Sequence, residues 1–193
     1  MELLTPHILV SAYAQGIFPM GVDGQIRWFS PDPRAILPLE DFRASKTLKQ
    51  TCRSGKFEIR LNTQFREVMV ACGDRPEGTW ITSEIIDVYV HLHRLGLAHS
   101  VEAWKRDKLA GGLYGVVLGG AFFGESMFHR ERDASKAALV ALVERMKVRG
   151  FTLLDVQYAT GHLSQFGVIE IPREDYLRRL AHALELECSF VDQ

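Results

Sequence analysis

The 193-residue chain has no excess of charge of either sign, with 23 Lys and Arg against 24 Asp and Glu and a formal net charge of −1. That excludes a nucleic-acid binder relying on a global basic field; any contact with a polyanion must come from a local patch. Cysteine is scarce. Cys52, Cys72 and Cys188 are far apart, odd in number and in no CxxC or metal-type spacing, so neither a disulfide framework nor a metal site is expected. His91 and His93, one residue apart on a helix, do not converge on a metal. No apolar run approaches the length that crosses a bilayer. Residues 1–16 lack a basic start followed by a long apolar run, so no signal peptide is expected and the chain reads as cytoplasmic.

What is present is one core's worth of apolar sequence, 47% of residues, with one composition break. Thr5 and Pro6 read as the N-cap and first position of a helix that buries Ile8, Leu9, Ala12 and Tyr13 and stops at Gly16. Prolines at 19, 31, 33 and 38 make residues 17–39 a loop. A small N-terminal piece (1–33) is divided there from a main domain (34–193). Residues 42–56 hold Arg43, Lys46, Lys49, Arg53 and Lys56, either a solvated helix face or a phosphate-contacting patch. A strand at 57–62 and a helix at 64–71 follow. Thr82 opens a further helix, with Ile85, Val88, Tyr89, Leu92 and Leu95 inward, Gly96 as its stop and both histidines outward. Residues 98–128 form an antiparallel meander turning at Arg106-Asp107 and Gly119-Gly120. Next come a helix capped by Asp133 and strands at 151–157 and 168–171. A last helix from Pro172 has Tyr176, Leu177, Leu180, Ala181 and Leu184 inward. This is an α/β layout with a mixed sheet, in the element order of GNAT-type acyltransferases.

The chemistry concentrates in FTLLDVQ, residues 151–157. On a strand, Asp155 and Gln157 share a face with Phe151 and Leu153, so a carboxylate and a carboxamide rise from an apolar surface. A strand-end Asp capping a loop is the plainer reading of that pair alone; the flanking blocks shift the balance. Glu125 shares a strand face with Phe123 and Met127. It either faces solvent from an edge or lines a pocket where it would hold a cation. Ser126 points the other way and lacks the turn of a nucleophile elbow. GGLYGVVLGG is followed by strand rather than helix, so its glycines read as turns and close packing, not a phosphate cradle. RERDASK (130–136) has no glycine and carries Glu131 and Asp133, so it would repel a pyrophosphate and argues against coenzyme A. Trp80, Tyr89, Tyr13 and Trp28 are candidates to stack on a base, or ordinary core aromatics.

Taken in order, AYAQGIFPM, WFSPDPRAILPL, EGTWIT, GGLYGV, FFGESMFHRERDASKAAL, LLDVQYATGHLSQFG and IPREDYL resemble the leucyl/phenylalanyl-tRNA–protein transferases from Ala12 to about Leu184. The resemblance implies a GNAT-like catalytic domain behind a small N-terminal α/β piece. It implies transfer of Leu or Phe, Met more weakly, from aminoacyl-tRNA to proteins beginning with Arg or Lys, marking them for the bacterial N-degron pathway. It implies no cofactor, metal, membrane or DNA, and a monomer. By position, Asp155 and Gln157 match the catalytic pair, the Asp orienting the Gln by a hydrogen bond. Glu125 matches the acid that binds the acceptor's cationic side chain. Leu113, Met127, Leu139, Leu142, Met146 and Leu154 match the donor side-chain pocket, with Leu154 opposite Asp155 in strand phase. Tyr13, Trp80 and Tyr89 match positions near the terminal adenosine, and Arg53 and Lys56 the basic cluster touching tRNA. Met20 stands where some members have Trp, Leu142 and Met146 where several have Phe. A longer N-terminal segment found in many members is not in this chain, which implies a reduced N-terminal domain.

Two other readings compete. A coenzyme-A-dependent acetyltransferase is disfavoured by the acidic RERDASK turn. A catalytically idle adaptor for N-terminal Arg or Lys would have no reason to keep Asp155 and Gln157.

Overall fold

In the computed structural model, which describes residues 4–192, Thr5 caps α1 (Pro6–Ala14) by accepting from the Ile8 N–H at 3.3 Å. The next segment is not the expected loop. Asp23 and Gly24, at φ 52° and 73°, make a tight turn that joins β1 (Phe18–Val22) to β2 (Gln25–Phe29). Pro19 is tolerated because a two-stranded sheet is all edge and a missing N–H need not break a ladder. β3 (Arg34–Ile36) follows directly.

The remainder runs α2 (Lys46–Arg53), β4 (Glu58–Leu61), α3 (Phe65–Gly73), α4 (Ser83–Arg94), β5 (Ala98–Lys105), β6 (Lys108–Leu118), β7 (Ala121–His129), α5 (Ala134–Val148), β8 (Leu153–Gln157), α6 (Gly161–Ser164), β9 (Ile169–Ile171) and α7 (Arg173–Leu184). Seven strands form one sheet in the order β4-β5-β6-β7-β8-β3-β9. Every neighbouring pair is antiparallel except β7 and β8, which are parallel, so both the meander and the mixed sheet are present. Tyr114, Val116, Phe123, Leu153 and Ile36 pack under α1, α3, α4 and α7; Leu113, Val117, Phe122 and Leu154 pack under α2 and α5. The meander depends on close approach at Gly115, where a Cβ would lie 2.2 Å from the Phe123 carbonyl oxygen.

Some local expectations change. On α7, Tyr176, Leu180 and Ala183 are buried, whereas Leu177 and Ala181 face out, because the buried stripe runs one step further round. Leu95, the C-cap of α4, faces out at 56% exposure rather than joining the buried face, which ends at Leu92. His93 is half-buried, its ring stacked on Phe65 at 4.3 Å and bonded to the Ala98 carbonyl. Asp133 stands at the N-cap of α5 but in the left-handed region (φ 71°), and its side chain makes no capping bond. Phe151 precedes β8 and packs on the face opposite Leu153, so it does not share the Asp155 face. Among the described residues no helix is long and apolar enough to cross a membrane.

Candidate active site

β7 and β8 pair over three residues, Ala121–Phe123 against Leu153–Asp155, and then part. Beyond that point β7 stays with β6, while β8 continues against β3. The carboxyl ends of parallel strands, where neighbours diverge, are where open α/β sheets bind ligands. Glu125 and Gln157 each stand two residues past the last parallel pair.

Asp155 is fully buried and fully occupied. Its Oδ1 accepts from Arg34 Nε at 2.9 Å and from the Gln157 backbone N–H at 3.0 Å; its Oδ2 accepts from Arg34 Nη2 at 2.7 Å and Tyr176 Oη at 2.9 Å. Four bonds use the acceptor capacity of a carboxylate. Arg34 is equally enclosed. Its Nη1 donates to the Gly16 carbonyl at 2.9 Å, and its guanidinium carbon lies 4.8 Å from the Phe18 ring centre and 4.5 Å from that of Tyr176. Burial works to lower the Arg34 pKa, but bonding to the oppositely charged Asp155 leaves it raised overall, so the side chain stays a cation. Sequence reasoning missed Arg34 and Tyr176. The available signal was the demand itself, since a buried carboxylate calls for a cation.

The strand phase expected to put Asp155 and Gln157 on one face does not hold here: they oppose Ile36 and Ala35, consecutive residues of β3, and Val156 is the extra residue of the shift. The expected Asp–Gln contact is present in altered form. Asp155 holds the Gln157 main chain, not its carboxamide. Gln157 sits at φ 59°, a left-handed conformation uncommon for a residue with a side chain, and this anchored turn ends β8. Its Nε2 is buried without a hydrogen-bond partner among the described residues. A buried unpaired donor is costly, and strain of this kind clusters where a ligand completes the site.

Glu125 is held differently. The β6–β7 register shifts between Tyr114 and Gly115, because Ser126 opposes Tyr114 while Gly124 opposes Gly115. Glu125 is the extra residue of this bulge. The bulge reverses the simple alternation: Glu125 and Ser126 lie on the Tyr114 side, while Met127 pairs with Leu113 on the other. The expected shared face of Glu125 and Met127, with Ser126 opposite, is therefore corrected. Glu125 Oε1 accepts from Tyr13 Oη at 2.7 Å, and Tyr13 Oη is also bonded to Tyr89 Oη. No cation pairs with Glu125 among the described residues. Its carboxyl pKa is pushed up to about 8, chiefly by burial, with the Tyr13 bond pulling back and the Asp155 charge pushing further up. Both tyrosine pKa values are raised well above the ordinary value, first by burial and then by Glu125, so they remain neutral donors. The rings of Tyr13 and Tyr89 are wholly enclosed, leaving no face on which a base could stack; their hydroxyls alone reach the site.

Trp80 is half-buried and keeps part of its surface open. Its carbonyl accepts from Gly21 N–H of the hairpin at 3.1 Å, and a Cβ at Gly21 would come within 2.7 Å of that oxygen. Trp28 is 41% exposed. Leu113, Leu139, Leu142, Met146 and Leu154 form one apolar cluster with Met127 at its margin, on the sheet face opposite Asp155. Arg53 is exposed at the end of α2, and Lys56 donates to the Arg132 carbonyl at 3.0 Å. Ser126 is bonded to Arg75 Nη2 at 3.1 Å and has no histidine beside it among its hydrogen-bond partners.

Residues 36–181 match a family model described as leucyl/phenylalanyl-tRNA protein transferase, and residues 2–32 match that of its N-terminal domain. A leucyl/phenylalanyl-tRNA–protein transferase of Herpetosiphon aurantiacus is 56% identical over 97% of this chain and 98% of its own. A protein of the same name from Gloeobacter violaceus is 54% identical over 97% of each. Among solved structures, a ribosomal-protein-alanine N-acetyltransferase from Brucella melitensis superposes with a TM-score of 0.41 at 14% identity, over 71% of this chain and 98% of that one, too loosely to bear on the site.

Proposed function

The chain belongs to the leucyl/phenylalanyl-tRNA–protein transferase family and is an aminoacyltransferase, and from that premise we propose how its site divides the work. Leucine or phenylalanine, with methionine as a weaker donor, moves from the 3′ end of tRNA to the α-amine of proteins that begin with Arg or Lys. The acceptor is thereby marked for the bacterial N-degron pathway, in the cytoplasm.

One observation carries the acceptor rule. Glu125 is a half-buried acid held by one neutral hydroxyl and paired with no cation among the described residues, at the mouth of the strand parting. A guanidinium or ammonium from the acceptor supplies the missing charge, and a charge-assisted bond to a carboxyl partly withdrawn from water is strong. Tyr13 and Tyr89 orient the carboxyl for it.

The chemistry is aminolysis of an ester. The acceptor nitrogen attacks the aminoacyl carbonyl carbon, a C–N bond forms, and the C–O bond to the tRNA ribose breaks. The nitrogen gives up one proton and the ribose oxygen leaves with one. Asp155, with its oxygens occupied, is a positioning residue. It fixes the Gln157 main chain through the bond at 3.0 Å, and so the direction of the carboxamide. The Gln157 carbonyl oxygen accepts from the attacking amine; a carboxamide is too weak a base to do more than position and relay. The ester is already activated, so proximity and orientation can supply up to about 7–11 kcal/mol. The apolar cluster around Leu142 and Met146 takes the donor side chain, and Trp80 stacks on the terminal adenosine.

The test is transfer of labelled phenylalanine, then leucine, from charged tRNA to a peptide with N-terminal Arg, against a matched peptide with N-terminal Glu. Transfer to Arg alone is expected. Transfer to neither, with folded protein and intact charged tRNA, contradicts the reading.

A further inference from the structure

The turn before α5 differs from its sequence expectation. Glu131 is drawn off by Lys105 at 3.0 Å, and Asp133 is flanked by Lys136 at 3.6 Å and Arg132 at 3.7 Å, so neither acid is free to repel an anion. Between this turn and the first turn of α2 lies a cavity of about 450 Å³, and its wall sets Arg43, Arg132 and Lys136 against the single acid Asp133. Arg43 and Arg132 are exposed, and the Arg43 side chain has no hydrogen bond or ion pair among the described residues. The positive end of the α2 dipole adds to the field.

We infer that this cavity is a second contact for tRNA, taking a backbone phosphate; the inference rests on aminoacyl-tRNA being the donor. Three features favour a polymer's phosphate over a nucleotide cofactor. Its one aromatic lining residue, Phe166, is 1% exposed, so no ring face is offered to a base. The cavity opens at the head of α2, whose other end carries Arg53 followed by Lys56, so basic groups border the helix end to end, a span of about 12 Å for eight residues. Leu48 and Phe166 belong to the same apolar cluster as Leu142 and Leu154, which sets the cavity on the donor side of the sheet. A chain with no net positive charge needs such local patches to hold RNA.

The experiment is binding of uncharged tRNA over a range of salt to wild type, to the double variant Arg43→Ala with Lys136→Gln, and to Arg94→Gln as an exposed basic control. The double variant should bind about ten- to a hundredfold more weakly at low salt, and the slope of log affinity against log salt should shrink by about 1.5–2. The control should match wild type. A double variant with wild-type affinity and slope overturns the inference. So does displacement of tRNA by micromolar inorganic pyrophosphate, which would assign the cavity to a small phosphate ligand. Wild-type transfer of phenylalanine to the Arg peptide is measured in parallel. Transfer with unaltered binding by the double variant sinks the tRNA contact alone; absent transfer with altered binding sinks the donor reading alone.

Discussion

Asp155 and Glu125 are two acids on neighbouring strands, the first fully buried and the second half-buried, and they are treated in opposite ways. Asp155 has a bidentate arginine, a tyrosine and a main-chain N–H; Glu125 has a tyrosine hydroxyl and no cation among the described residues. The first arrangement is closed and needs nothing from outside. The second is open by one positive charge. Burial alone therefore does not mark a functional acid; the useful question is whether the protein itself completes the acid's partners. By that measure Asp155 is part of the frame and Glu125 is a socket.

The largest effect should come from breaking the frame. Arg34→Met leaves Asp155 buried and unpaired and should cost about 3–5 kcal/mol in urea unfolding. Adding Asp155→Leu should restore most of that stability, because a buried ion pair replaced by apolar groups is often close to neutral. Activity should not return, because the Gln157 turn has lost its anchor. A double variant that is stable and active would show that the pair serves folding alone.

Next in size is Gln157→Ala. It should lower kcat by about a hundredfold or more while leaving the melting temperature unchanged or slightly raised, since a buried unpaired donor is removed. An equal loss of stability would move Gln157 from the chemistry into the frame.

Glu125→Gln sharpens the other half of the comparison. The folded Glu125 pKa of about 8 stands above the ordinary 4.5. Between those values the folded protein keeps a proton that the unfolded chain has lost, so this group makes stability fall as pH rises through that window. Glu125→Gln removes the term. Its melting temperature should gain on wild type between pH 5 and pH 9, and parallel curves would show that Glu125 is not desolvated as described.

The smallest effect belongs to the far face of the sheet. Leu142→Phe adds volume to the apolar cluster proposed to take the donor side chain and should cost about 1–3 kcal/mol. Phenylalanine should be disfavoured against leucine as donor by about tenfold, with the pH behaviour of Glu125 unchanged.

The legible part of the site was the part set by strand phase. Alternation put Leu154 opposite Asp155, because β8 is regular up to Asp155; the orientation of Gln157 was not legible, because the β3–β8 register shifts between the two and leaves Val156 as an extra residue. Arg34 was not legible. It is separated from Asp155 by 121 positions, and only the insertion of three-residue β3 beside β8 brings it there. The bulge at Glu125 was hidden as well, because a register shift depends on the partner strand. The β1–β2 hairpin was legible in Asp23-Gly24 but was masked by a proline-rich reading of its surroundings. Tyr13 and Tyr89 were recognisable as important, yet whether a tyrosine presents its ring or its hydroxyl is decided by packing. Thr5, Thr82 and the meander turns needed only local chemistry and stand where expected.

The central claim is that Glu125 selects the acceptor by charge. Its most direct test is transfer of phenylalanine from charged tRNA to two peptides that differ only at the first residue, Arg or its neutral isostere citrulline, by wild type and by Glu125→Gln. The wild type should prefer Arg by at least about tenfold in kcat/KM, the lower range for a hydrogen bond to a charged group. Glu125→Gln should treat the two peptides alike. Equal use of both peptides by the wild type, or an undiminished preference for Arg in Glu125→Gln, would contradict it.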